Sequence, residues 1–250
     1  MEILLPGTVL ATFGFLGLHW SVARISGRSF RTALKLSRGI AATMLVLTGL
    51  FVAIEWWELR RVAFLAAQPD PLDAWPVGIF AGHLAADLFW ILGGRLVLDS
   101  RVARDLVIHH LLGIAACGAA VFFAAGYALI GVILLSEVLP VTTGLAAWAR
   151  THERSELERN VLRSSLGLIL LFRIPLWLAI GGAFVAVLAT GRAEPIHWAV
   201  SPVLLPGLAL VAALDLYWVR SYRRILRNFP HMGVRDLSLD PLAPWTVEGS

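Results

Sequence analysis

The chain has 250 residues, 58% of them hydrophobic and 15% charged, with a mean hydropathy of +0.76. A soluble domain carries about a quarter charged residues, so this composition excludes an ordinary globular protein and indicates a polytopic membrane chain. The net charge of +4 does not mark a nucleic-acid module, because the cations fall between apolar stretches.

A bilayer span takes about 20 apolar residues at ~1.5 Å rise each. On that rule the sequence predicts an all-α membrane protein with seven helices, at 3–23, 39–59, 77–98, 106–125, 127–148, 164–190 and 202–221. The first apolar stretch has no basic region before it and no convincing cleavage site ahead of Arg24, so it reads as a retained helix. Pro69-Asp70-Pro71 and Pro76 close the second helix and set up the third. Cys117, the single cysteine, leaves no internal disulfide or cysteine zinc site, and its Gly/Ala-rich surroundings suit a small packing residue. Gly126-Tyr127 is the only break between the fourth and fifth helices, which predicts a tight antiparallel hairpin. Pro202 and Pro206 fall in the first turns of the seventh, with Pro206 deep enough to kink it. The tail from Asn228 is polar and proline-rich and offers Trp245 as an interfacial anchor. No internal repeat or low-complexity tract is visible. The organisation expected is an N-terminal helix and basic loop over 1–38, a six-helix membrane domain over 39–227, and a polar tail over 228–250.

Lysine and arginine set the expected orientation. Alternate connections hold five cations in 24–38, two in 99–105, four in 149–163 and five from Arg220 onward. The intervening connections hold only Arg60, Arg61 and Arg192. That asymmetry predicts an outside N-terminus and a cytoplasmic C-terminus. On this topology His109 and His110 lie about 5–6 Å inside the cytoplasmic end of the fourth helix, and Asp215 roughly 9 Å inside the seventh. Glu137, Arg173 and Asp87 lie deeper, the first two at about 14–16 Å. The polar groups thus predict a shaft with its mouth at the histidines.

Ionisable groups in hydrocarbon cost several kcal/mol each and are rarely kept without a partner or a task. A neutral imidazole is a competent base or nucleophile, and a second one can relay its proton. His109 and His110 are therefore the first catalytic candidates, although histidines near a helix end also bond headgroups and loop carbonyls. Their directions differ by about 100°, so both can face inward only across a wide sector. Asp215 is the third candidate, as a carboxylate orienting a histidine; pairing with Arg220 or Arg223 is the alternative. Pro140 frees the Ser136 carbonyl beside Glu137, and Pro175 frees the Leu171 carbonyl beside Arg173. Arg173 and Glu137, matched in depth, are expected either to pair with each other or to touch substrate. His83 and Asp87 share one helix face, His83 reading as structural and Asp87 as cavity-lining.

The seven histidines are His19, His83, His109, His110, His152, His197 and His231. They form no second cluster and no i,i+3 or i,i+4 pair, so a metal site is not expected. The sole lysine, Lys35, lies in the first loop, which excludes a retinal-type Schiff base in the seventh helix.

These motifs in this order resemble the TLC-domain family of ceramide synthases and their relatives over about 39–227. The resemblance rests on His83-x-x-x-Asp87-Leu88, Ile108-His109-His110, and Ser136-Glu137-x-x-Pro140 running to Trp148. Phe172-Arg173 and Asp215-Leu216-Tyr217-Trp218…Ile225 complete it. It implies six helices in a ring around a central cavity, plus one N-terminal helix. It also implies acyl transfer from acyl-CoA to an amine at the histidine pair, with Asp87, Glu137, Arg173 and Trp218 on the substrate-binding side. The segment after the pair lacks the His-Asp…Asp and Glu-Lys run of true ceramide synthases and is closer to the family's less characterised branch. That widens the expectation to acyl or lipid handling, with a membrane lipid as partner, acyl-CoA as candidate substrate and no separate cofactor. A non-catalytic lipid-binding or membrane-homeostasis protein is the competing class. A transporter is disfavoured by the lack of a repeat. The Ala/Arg/Trp-rich composition suits a bacterial inner membrane.

Overall fold

The lengths of the apolar runs dictate the architecture, and the prolines decide where its helices change character. The computed structural model of the protein describes residues 4–27, 30–58, 71–98, 104–191, 193 and 195–229. Four helices come first: α1 (Leu4–Ser26), α2 (Phe30–Glu58), α3 (Pro71–Leu98) and α4 (Arg104–Phe123). The fifth span is α5 (Tyr127–Ile133), a 3₁₀ turn (Leu134–Glu137) and α6 (Val138–Thr151). The sixth is α7 (Ser155–Leu168), a π segment (Ile169–Arg173) and α8 (Ile174–Ala189); the seventh is α9 (Pro195–Asn228). Among the described residues, seven helical spans are long and apolar enough to cross a bilayer. Arg60, Arg61, Arg192 and the tail with Trp245 lie outside the described residues.

Both irregular segments sit next to a proline. Pro140 cannot donate to Ser136, and the chain tightens to 3₁₀ geometry just before it. Pro175 cannot donate to Leu171, and the chain widens into a single π turn ending at Arg173. Pro202 and Pro206 lie inside α9, not in its first turns, because the helix begins at Pro195. Their missing donors are tolerated in a membrane helix whose neighbours and local adjustments re-satisfy the freed carbonyls. The sixth span likewise starts earlier than the apolar run does. Glu156 and Glu158 occupy the first turn of α7, where acids favour a helix start.

The hairpin at Gly126 forms as expected: Gly126 adopts φ 80° and Ala125 N donates to the Ala120 carbonyl at 3.0 Å. The other tight turn, at 152–154, is held by an ion pair between Arg150 and the buried Glu158.

Contacts run α2 to the fifth span, then to the sixth, to α9, to α4, to α3 and back to α2, which closes a six-membered ring. The helix α1 packs outside the ring on α2 and α3. Two glycines permit close helix approach. A Cβ on Gly144 would stand 2.8 Å from the Gly39 Cα, and one on Gly82 would stand 2.6 Å from the Ala11 Cβ. Large apolar side chains such as Phe13, Phe122 and Leu171 point outward and are exposed. So much exposed apolar surface is untenable in water and natural against lipid.

Candidate functional site

Nine charged or imidazole side chains, eight on ring helices and His19 on α1, fall into three groups by their hydrogen-bond and ion-pair partners. The first centres on Asp87 of α3, which is fully buried. Its Oδ2 lies 2.6 Å from Arg38 Nε of α2 and 2.6 Å from His110 Nε2 of α4. His19 Nε2 of α1 stands 3.7 Å from Oδ1. The other nitrogen of His110, Nδ1, is 2.6 Å from the Leu106 carbonyl. Both nitrogens of His110 thus stand against protein oxygens, the Asp87 carboxylate and the Leu106 carbonyl, and neither faces the cavity. His83, on the same helix face as Asp87, is buried edge-on against Phe15, and its Nδ1 has no hydrogen-bond partner.

The second group centres on Arg173, which is 1% exposed. Its Nε is 3.1 Å from both oxygens of Asp215, and Nη2 is 3.0 Å from Oδ1. Nη1 donates to the Ser136 carbonyl at 2.5 Å. That is the carbonyl released by Pro140. Trp177 Nε1 also donates to Asp215, at 2.8 Å, and the guanidinium lies 5.8 Å and 5.4 Å from the Trp177 and Trp218 rings. The expected pairing of Arg173 with Glu137 is therefore replaced by Arg173 with Asp215. Asp215 orients no histidine and pairs with neither Arg220 nor Arg223, because Arg173 already takes both of its oxygens.

The third group is His109 with Glu137. His109 Nε2 stands 3.6 Å from Glu137 Oε1, beyond hydrogen-bond length. His109 Nδ1 and Glu137 Oε1 are buried without a hydrogen-bond partner. An orphaned buried polar atom costs desolvation free energy, and of the residues that carry one among those described, these two line a cavity. Its volume is about 170 Å³, and its remaining walls are almost wholly apolar. Ser136, Phe80 and Trp177 border its polar end, and Leu129, Leu204 and Val211 its shaft. The His109 ring meets Trp218 edge-on at 5.6 Å, and Trp218 Nε1 donates to Asp105 Oδ2 at 2.6 Å.

The neighbouring histidines thus face different partners. His110 turns to Asp87, while His109 turns to Glu137 and the cavity. The polar end is not an open mouth at the cation-rich end: Leu106, Leu139, Ile169, Trp218 and Tyr222 form a packed cluster beyond it. The sequence reading missed Arg38, His19, Asp105 and Trp177. Trp177 was findable, lying one helical turn beyond Arg173. Among the described residues, no group of three or more His, Cys, Asp or Glu side chains is arranged to hold a metal.

No family model, no curated protein and no solved structure matches the chain.

Proposed function

We propose that the protein is an integral membrane lipid-handling enzyme that transfers an acyl group from acyl-CoA to a lipid or amine acceptor. It would be a TLC-like protein of the less characterised branch. The observation that carries this reading is the His109–Glu137 pair at the polar end of an apolar cavity, with His109 Nδ1 and Glu137 Oε1 buried without a hydrogen-bond partner. In the proposed reaction His109 takes the N–H or O–H proton of the acceptor, whose heteroatom attacks the thioester carbonyl. The C–S bond then breaks, and the proton passes from His109 to the departing thiolate. Glu137, 3.6 Å away, stabilises the imidazolium formed in between. His110 and Asp215 become positioning residues: one anchors α4 to α3, the other holds Arg173 against the Ser136 carbonyl and so fixes the turn that carries Glu137. The cation asymmetry supports a cytoplasmic cation-rich end, and the Ala/Arg/Trp-rich composition suits a bacterial inner membrane. That end lies next to His109, with Trp218 and Asp105 between.

One observation favours the competing, non-catalytic lipid-binding reading. Arg173 pairs with Asp215 and the Ser136 carbonyl and does not line the cavity, so it is not placed to stabilise an oxyanion there. The test is product formation by protein in phosphatidylcholine nanodiscs given a long-chain acyl-CoA and a long-chain amine or alcohol. The enzyme reading predicts an amide or ester that disappears in His109→Ala. No product across the acceptor panel, with lipid held stoichiometrically, would leave the lipid-binding reading.

A further inference from the structure

The cavity reaches the side of the bundle, with packed side chains toward each end. Toward the cation-rich end lies the cluster containing Trp218 and Tyr222. At the opposite end Phe123, Ala125, Phe184 and Val200 pack together beneath the hairpin at Gly126. Between these plugs the cavity runs along α4 from His109 to Phe123, roughly 20 Å at 1.5 Å per residue.

Its flank between α4 and α9 is different. Ala115 lines the cavity, yet it belongs to the exposed stripe of α4 that also carries Leu111, Gly118 and Phe122. Val203 lines the cavity from α9, yet it is exposed on the same stripe as Leu210, two turns on. The wall residues between these stripes are small: Ala116 and Ala119 on α4, Gly207 on α9. Side chains of α4 and α9 meet near the cation-rich end, at Asp105, His109 and Trp218, and again at the far end, where Phe123 and Val200 share a cluster. Between these contacts the two helices border the cavity.

We infer that a single hydrocarbon chain of a bilayer lipid enters this cavity sideways, through the slit between α4 and α9, and brings a polar group to His109 and Glu137. The packed side chains toward each end narrow an axial route for a chain from water. The slit opens onto lipid-facing surface, so a chain crosses it without meeting water, and its small side chains leave room for methylene groups. Glu137 Oε1 is an orphaned acceptor, which suits a hydroxyl or amine donor at the chain's polar end. This rests on the lipid-handling reading above and adds the entry route and the ligand class.

The test uses the full chain in phosphatidylcholine nanodiscs containing a long-chain alcohol with a diazirine on its terminal carbon. After illumination, adducts are mapped by peptide mass spectrometry. The inference predicts adducts on cavity residues away from the polar end, such as Ala120, Val200 and Leu204. Ala119→Trp should cut them roughly tenfold, since an indole in the slit excludes a chain sterically, and Leu111→Trp, on the outer stripe alone, should not. Adducts confined to Phe122, Leu210 and other outer residues would overturn the route. So would cavity labelling unchanged in a folded Ala119→Trp protein. If that variant does not fold, the wild-type adduct map decides. Labelling needs no turnover, so a labelled cavity without product would sink acyl transfer alone, whereas product without cavity labelling would sink the lateral route alone.

Discussion

Arg173 and Asp215 form a fully buried pair between the sixth and seventh spans, Nε lying 3.1 Å from both carboxylate oxygens. Removing one partner strands a charge in the membrane interior. Arg173→Ala or Asp215→Ala should each cost about 3–5 kcal/mol of stability, read from denaturant unfolding in micelles. A double-mutant cycle should show strong coupling for Arg173 with Asp215 and near additivity for Arg173 with Glu137. The reverse pattern would contradict the observed pairing.

The two histidines should separate by phenotype. His110 holds Asp87 and a carbonyl, so His110→Ala should lower the unfolding midpoint by leaving Asp87 with one fewer donor, at a cost of about 1–3 kcal/mol. His109 makes no hydrogen bond below 3.6 Å to Glu137, so His109→Ala should leave stability within about 1 kcal/mol of wild type. Parallel thermal unfolding of the two variants checks this, and equal losses would erase the distinction.

Much of this was legible in the chain and some was not, for identifiable reasons. Seven apolar runs gave the spans, and Pro140 correctly marked a freed carbonyl at Ser136, which Arg173 now occupies. Depth was misjudged because it was counted from the edges of apolar runs. α9 continues to Asn228, so Asp215 lies as deep as Glu137: 13 residues from that end against 14 from Thr151. Arg38 was assigned to a loop, yet α2 starts at Phe30 and carries Arg38 two turns inward. A hydropathy run cannot tell a loop cation from one inside a helix end. Nor can sequence say which of two adjacent histidines faces which neighbour, since that depends on helix rotation.

Gly144 sets the distance between α2 and α6. Gly144→Val should push it off Gly39 and cost about 1–3 kcal/mol by overpacking. Gly118→Val, with nothing within 4 Å of its Cβ position, should cost far less. Unfolding midpoints of the pair check the close approach, and equal losses would contradict it.

Topology is testable without any assumption about chemistry. A reporter fused after Ser250 should read as cytoplasmic, and one before Met1 as exported. An exported C-terminal reporter would contradict the proposed orientation.

The central claim is that His109, and not its neighbour, is the reactive imidazole at the head of the cavity. Amide or ester formation from a long-chain acyl-CoA and a long-chain amine or alcohol, compared among wild type, His110→Gln and His109→Ala in nanodiscs, tests it most directly. The account predicts turnover in wild type that persists in a folded His110→Gln protein and vanishes in His109→Ala. Turnover that survives His109→Ala, or that is lost in a folded His110→Gln protein, would contradict it.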